Sequence, residues 1–142
     1  MIVLDTNVIS ETLRPAPAGQ VLRWLTDHAA EVTITAVTVG ELSLGLEILP
    51  DGRRKAELRR LLSDIFDSYR HLVLDFGTLA GQRYGEVIAS RRAASHPLTT
   101  EDAMIAAICL THGTALATRN TKDFDGLGLT LINPWEVPLD QS

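Results

Sequence analysis

Apolar residues in this chain fall into short continuous runs separated by longer stretches of helical periodicity. Ile2-Val3-Leu4 is a run that ends in Asp5-Thr6-Asn7, residues that favour turns and caps, so it reads as a buried strand handing over to a helix near Val8. After Pro17, Val21, Leu22, Trp24 and Leu25 recur at helical spacing, and the β-branched run Val32-Thr33-Ile34-Thr35 then reads as a second strand. A helix from about Val37 to Leu49 is closed by Pro50-Asp51-Gly52. Between Arg53 and Tyr69, Leu58, Leu61, Leu62, Ile65 and Phe66 line one helical face and Arg and Lys the other. Leu72-Val73-Leu74-Asp75 is the predicted third strand, followed by a helix through Leu79, Tyr84, Val87 and Ile88 that Ser95-His96-Pro97 breaks. Thr100 opens a helix that runs to His112 and stops at Gly113. Ala115-Leu116-Ala117-Thr118 and Leu129-Thr130-Leu131-Ile132 are the fourth and fifth strands, before Asn133-Pro134-Trp135.

Short strands alternating with helices predict an α/β domain with a mostly parallel central sheet of about five strands, because parallel neighbours need crossover helices. No repeat, low-complexity tract or linker divides the chain, so residues 1–142 read as a single domain with a short C-terminal tail over about 137–142. The helix after the second strand has one apolar face from Val39, Leu42, Leu46 and Leu49. Glu41 lies about 110 degrees from the centre of that face, on the same side as Leu44 and Ile48. This second apolar stripe suits either a subunit or partner contact or additional core packing.

Composition narrows the class. With 45% hydrophobic and 22% charged residues over 142 positions, the chain matches an ordinary globular domain. At this size roughly two thirds of the unfolded surface is buried, so neither disulfides nor a structural metal is needed for folding. The start lacks the basic segment, long apolar run and cleavage site of a signal peptide, and no apolar stretch approaches transmembrane length. The single Cys109 sits within an apolar helical pattern and reads as a small buried hydrophobe. The expectation is a reduced, cytoplasmic protein with no membrane association. A net charge of -5 excludes nucleic-acid binding by bulk attraction, and clustered carboxylates repel a phosphodiester unless a divalent cation reverses the local field.

In open parallel sheets the functional crevice lies beyond the carboxyl ends of the strands. Asp5 follows the first strand, Asn120 and Asp123 follow the fourth, Glu41 lies on the helix after the second, and Asp102 is in the first turn of the helix before the fourth. Each has an ordinary structural explanation. Asp5 suits a helix N-cap, Thr99 and Asp102 match a capping box, and Glu41 suits a solvated helix position. Together, Asp5, Glu41 and Asp102 offer the oxygen ligands that a hard divalent ion takes. His28, His71, His96 and His112 are too scattered for a zinc site, and no Gly-rich phosphate loop occurs.

Four segments occur in an order that resembles the PIN-domain ribonucleases, specifically the VapC and FitB-like toxins of type II toxin–antitoxin systems. They are Ile2 to Glu11, Thr38 to Gly45, Thr100 to Ala107 and Ala117 to Phe124, with Asn133-Pro134-Trp135 closing the series. The resemblance implies a three-layer α/β/α domain and makes Asp5, Glu41 and Asp102 the catalytic, metal-binding core. Where many relatives have Asp after Thr-Arg, this chain has Asn120, a neutral oxygen donor, and Asp123 three residues on is the other candidate for the fourth ligand. Thr6 and Asn7 adjoin the cluster, placed to orient carboxylates or water. Arg14 and Arg119, at the ends of two of the segments, are candidate contacts to substrate or antitoxin. The basic run Arg53, Arg54, Lys55, Arg59 and Arg60 suits a solvated face as well as RNA phosphates.

The resemblance further implies metal-dependent endoribonuclease activity with Mg²⁺, or Mn²⁺, as cofactor. It implies a homodimer neutralised by a cognate antitoxin, with operator DNA bound only through the antitoxin. Two other readings compete: a PIN-fold module whose cleavage is impaired by Asn120 and which acts through antitoxin or RNA binding, and a receiver-like phosphoacceptor domain with Lys122 after the fourth strand.

Overall fold

The computed structural model describes residues 1–136; the tail expected over 137–142 lies outside the described residues. Four strands, β1 (Ile2–Leu4), β2 (Val32–Thr33), β3 (Ala115–Ala117) and β4 (Leu131–Ile132), form one sheet in the order β2-β1-β3-β4. Every pairing is parallel, with Ile2 opposite Val32 on one side and Ala115 on the other, and Leu116 opposite Leu131. Six α-helices connect or flank them among the described residues: α1 (Thr6–Thr12), α2 (Gly19–Asp27), α3 (Ala36–Glu47), α4 (Arg53–Tyr69), α5 (Thr78–Ala93) and α6 (Thr100–His112).

The layers follow from strand alternation. Ile2 and Leu4 point to a core shared with Val8 and Ile9 of α1, Val21 and Trp24 of α2, Leu42 and Leu46 of α3 and Leu62 of α4. Val3 and Leu116 point the other way, to Ile105, Ala106 and Cys109 of α6, and α5 packs outside α6 through Ala80 against Ala107 and Ile108. The result is the expected three-layer α/β/α arrangement. Small Ala103, Ala106 and Ala107, all fully buried, let α6 approach both the sheet and α5. Cys109 is a fully buried free thiol whose pKa burial pushes up to about 12, which suits packing and not chemistry.

The third expected strand does not form. Leu72–Asp75 contributes one isolated parallel bridge, Thr35 to Leu74, in which Leu74 N–H donates to Ile34 O at 3.0 Å and Ala36 N–H to Leu74 O at 2.9 Å. The ladder stops because side chains and turns take its other polar groups. The Thr33 hydroxyl donates to Leu72 O at 2.5 Å, and Leu72 and Val73 N–H both return to Tyr69 O at the end of α4. Among the described residues the sheet therefore has four strands plus a bridge where about five strands were expected. β2 also ends two residues early, since the Thr35 hydroxyl accepts from Thr38 N–H and caps α3. β4 starts at Leu131 instead of Leu129. Gly126 and Gly128, both at φ +80, keep the preceding chain turning through the left-handed region.

Candidate active site

The strand order reverses between β1 and β3: the chain leaves β1 toward β2 on one side and returns as β3 on the other. Such a switch point opens a crevice at the carboxyl ends, between helices that depart to opposite faces. A cavity of about 470 Å³ occupies that position and is lined by Asp5, Thr6, Asn7, Glu41, Asp102 and Asn120, with Ser10, Glu11, Arg14, Arg119 and Trp135 completing its wall.

Asp5 sits at its base, 4% exposed, as the N-cap of α1. Its Oδ1 accepts from Thr6 N–H at 2.8 Å, and its Oδ2 accepts from the Thr118 hydroxyl at 2.7 Å and from Asn7 Nδ2 at 3.3 Å. Capping is thus part of its placement, as the local reading expects, and β1 pairing through Asp5 N–H to Ala117 O fixes the backbone beneath it. Burial raises the Asp5 pKa; the bonds from Thr118, Thr6 and Asn7 oppose the shift, and the charge of Asp123 adds to it.

Glu41 enters from α3. Its Oε1 accepts from the Thr6 hydroxyl at 2.7 Å, and the Thr6 and Thr38 hydroxyl oxygens lie 2.9 Å apart. With the single Thr6 proton committed to Glu41, the fully buried Thr38 is the donor to Thr6, giving a hydroxyl chain from the floor of α3 to the carboxylate. Burial raises the Glu41 pKa, the Thr6 bond lowers it, and the charges of Asp5 and Glu101 raise it further.

Asp102 is held in the first turn of α6, where its N–H donates to the Thr99 hydroxyl at 3.1 Å. Burial, followed by the charge of Asp5, pushes its carboxyl up to about 6, with smaller contributions from Glu41 and Asp123. The three acids thus come from a strand end and two helices to one cavity, each less acidic than in water and each made so partly by a neighbouring carboxylate.

The two candidates for the fourth position separate. Asn120 lines the cavity, its N–H donating to the Thr118 hydroxyl at 3.1 Å. Asp123 is exposed on the 3₁₀ turn Thr121–Phe124 and outside the cavity lining, although its charge reaches Asp5 and Asp102. Asn7 bridges the two strand ends, with Nδ2 near Thr118 Oγ1 at 3.3 Å and Oδ1 accepting from Arg119 N–H at 3.3 Å. Arg14 and Arg119 both border the cavity. In the basic run of α4, Lys55 pairs with Asp51 and Arg59 with Glu47, away from it. Thr38, Thr118, Glu11 and Trp135 also belong to this constellation, and spacing alone does not single them out. A buried hydroxyl carries no periodic signal; the pointer to these four is their position inside the ordered segments that carry the family resemblance.

A model of the PIN domain matches residues 2–128. This chain belongs to the PIN-domain family. That disposes of the receiver-like alternative and agrees with the fold expected from the motif order. The PIN domain described here is 42% identical over 139 residues to the plasmid stability protein StbB of Pseudomonas syringae pv. tomato, covering 96% of this chain and 100% of that one. It is 38% identical over 138 residues to the VapC ribonuclease Y4jK of Sinorhizobium fredii, covering 96% and 99%. Among solved structures it superposes on a chain of FitAB bound to the IR36 DNA fragment with a TM-score of 0.91 and 32% identity, covering 97% and 98%.

The donor set of this PIN domain suits a hard, oxygen-seeking ion in one respect and limits it in another. Its acids supply only oxygen, and repulsion among them is what a cation would relieve. Yet among the described residues no group of three or more Asp, Glu, His or Cys side chains is drawn together tightly enough to hold a metal by itself. Both Asp5 oxygens are already engaged by protein donors. The arrangement therefore fits a hard divalent ion that keeps several waters and is held by one or two carboxylates plus a substrate phosphate.

Proposed function

We propose that this PIN domain is a metal-dependent endoribonuclease acting as the toxin of a type II toxin–antitoxin pair in the cytoplasm. The observation that carries the reading is the convergence of Asp5, Glu41 and Asp102 on one open cavity at the sheet's switch point, flanked by Arg14 and Arg119. The relative named a VapC ribonuclease, alike over almost its full length, supports the reaction class. A bound Mg²⁺ or Mn²⁺ would lower the pKa of water and offset charge developing on the phosphoryl oxygens. Asp5, fixed by three donors, and the half-buried Asp102 are the residues to hold it. Glu41, aligned by the Thr38–Thr6 hydroxyl chain, can orient a water or accept its proton. Asn120 offers a neutral oxygen at the rim. With all three carboxylates lining the cavity, the impaired-module alternative is not favoured.

The partner reading rests on shape and charge. A second, more apolar groove of about 500 Å³ between α1, α3 and α4 includes Leu13, Pro15, Leu49 and Leu58 and shares Thr6, Arg14 and Glu41 with the acidic cavity. An amphipathic antitoxin segment lying there would reach the carboxylates. A chain of net charge -5 leaves operator DNA to the antitoxin, in line with the DNA-bound FitAB complex it resembles. No described helix is long and apolar enough to cross a membrane.

Purified protein incubated with mixed cellular RNA should cleave it when Mg²⁺ or Mn²⁺ is supplied, and stop when the ion is chelated. Asp5→Asn should remove activity while keeping the fold. Cleavage that persists in chelator, or a folded and fully active Asp5→Asn protein, would refute the proposal. Mapping cleavage ends after brief induction in cells would then name the target.

A further inference from the structure

The Asn133-Pro134-Trp135 segment is built into the cavity wall. Asn133 Nδ2 donates to Arg119 O at 3.4 Å, and its Oδ1 accepts from Trp135 N–H at 3.0 Å, tying the turn to the loop after β3. The Trp135 indole N–H donates to Glu11 Oε1 at 3.4 Å, and the Arg119 guanidinium lies over the indole ring, 5.1 Å from its centroid. Glu11 is 5% exposed; its Oε2 accepts from Ala18 N–H at 3.3 Å, and its Oε1 pairs with Arg14 Nη1 at 3.6 Å. The Arg14 side chain itself remains 65% exposed. Arg14, Glu11, Trp135 and Arg119 thus form one connected chain along the rim of the acidic cavity.

Each link has a physical consequence. The cation–π contact holds the Arg119 guanidinium over the indole without using its N–H donors, which can form the fork that matches phosphate oxygens. A buried carboxylate at Glu11 demands donors and a counter-charge, so it draws Arg14 to the rim while the exposed guanidinium still borders the cavity. Two arginines held in place spend less rotamer entropy on binding than two free ones. They also supply local positive potential next to three carboxylates in a chain whose overall charge repels RNA.

We propose that Trp135 is a positioning residue for substrate: it sets Arg119 directly, and Arg14 through Glu11, as a two-arginine rim that receives the RNA phosphates flanking the one at the carboxylates. This rests on the ribonuclease reading above.

The test compares cleavage kinetics of a single-stranded RNA and, in an Asp5→Asn background, the salt dependence of its binding. Trp135→Leu should raise KM roughly three- to tenfold with kcat within about twofold. It should also flatten the slope of log affinity against log salt by about 0.7 for each phosphate that the rim no longer neutralises. Arg119→Ala should do the same, and its effect should shrink when Trp135 is already Leu, because both act through one interaction. Arg119 is exposed, so its variants decide the matter should Trp135→Leu not fold: Arg119→Lys, which keeps charge but not the planar fork, should recover less than half of the loss. Wild-type KM and slope in Arg119→Ala, multiplicative effects in the double variant, or a loss confined to kcat would overturn the rim. A parent protein that neither cleaves nor binds RNA would overturn the rim and the ribonuclease reading together, whereas an active parent with unaffected variants overturns the rim alone.

Discussion

Asp102 carries a conflict between stability and chemistry. Its carboxyl moves from 3.8 to about 6 on folding, chiefly through burial and the charge of Asp5. A carboxyl whose pKa is higher in the folded state binds more protons there, so stability falls as pH rises from about 4 to about 6 and the loss is complete above that. Because the side chain is half-buried and partly solvated, the cost at neutral pH is about 1–2 kcal/mol, less than the roughly 3 kcal/mol of a two-unit shift taken whole. Asp102→Asn should therefore raise the melting temperature of the metal-free protein at pH 7 and raise it clearly less at pH 4.5. It should also weaken the stabilisation that Mn²⁺ gives the parent. A variant less stable than the parent at pH 7 would contradict this account. Thr118 is the converse case. Its hydroxyl donates to Asp5 Oδ2 at 2.7 Å from a fully buried position. Thr118→Val should destabilise the protein by about 1–3 kcal/mol in urea unfolding at pH 7 and push the acid limb of the activity profile to higher pH, because a donor to an ionised buried group is removed.

Helix α6 shows how an element serves the site. Thr99 caps it and Gly113, at φ +64, ends it, both as the sequence pattern requires. Its alanine-rich face packs between sheet and α5, and the same cap that starts the helix places Asp102 at the cavity. Thr99→Ala should cost about 1 kcal/mol of stability and lower kcat more than it raises KM, since the first turn loses the hydroxyl that accepts from Asp102 N–H. Equal loss of both parameters, or none, would argue that the cap only supports the helix. The elements are largely legible in the sequence: α4 runs over Arg53–Tyr69 as its amphipathic pattern indicates, and Thr100–His112 is bounded as expected. Leu72–Asp75 is not, because its apolar run resembles a strand, whereas the Thr33 hydroxyl and the α4 terminus compete for its polar groups. Local hydropathy has no access to that competition.

At the scale of the whole molecule, Leu44 and Ile48 on α3 are 63% and 72% exposed, so the second apolar stripe does not serve the monomer's core. We propose that it forms the contact between two copies of this chain in a homodimer. Leu44→Glu with Ile48→Glu should convert a dimer to a monomer in light-scattering chromatography without lowering secondary-structure content. A parent already monomeric, or a variant still dimeric, would remove this surface from consideration. Burial thus resolves a choice that periodicity leaves open, because helical spacing gives the direction of a stripe but not what lies against it.

By itself the sequence determined the alternation of elements, the α/β class with a mostly parallel sheet and the residues with chemistry at strand ends and first turns, since these follow from local periodicity, caps and breakers. The tertiary structure decided what those residues face. It brought Asp5, Glu41 and Asp102, from three separate segments, to one cavity, weakened their acidity through burial and neighbouring carboxylate charges, and placed Asn120 within the lining and Asp123 outside it. It also tied Trp135 to Glu11 across 124 positions of sequence. Distance along the chain does not encode distance across a switch point; the sheet order sets it, and that order arises only when both faces of the sheet are packed.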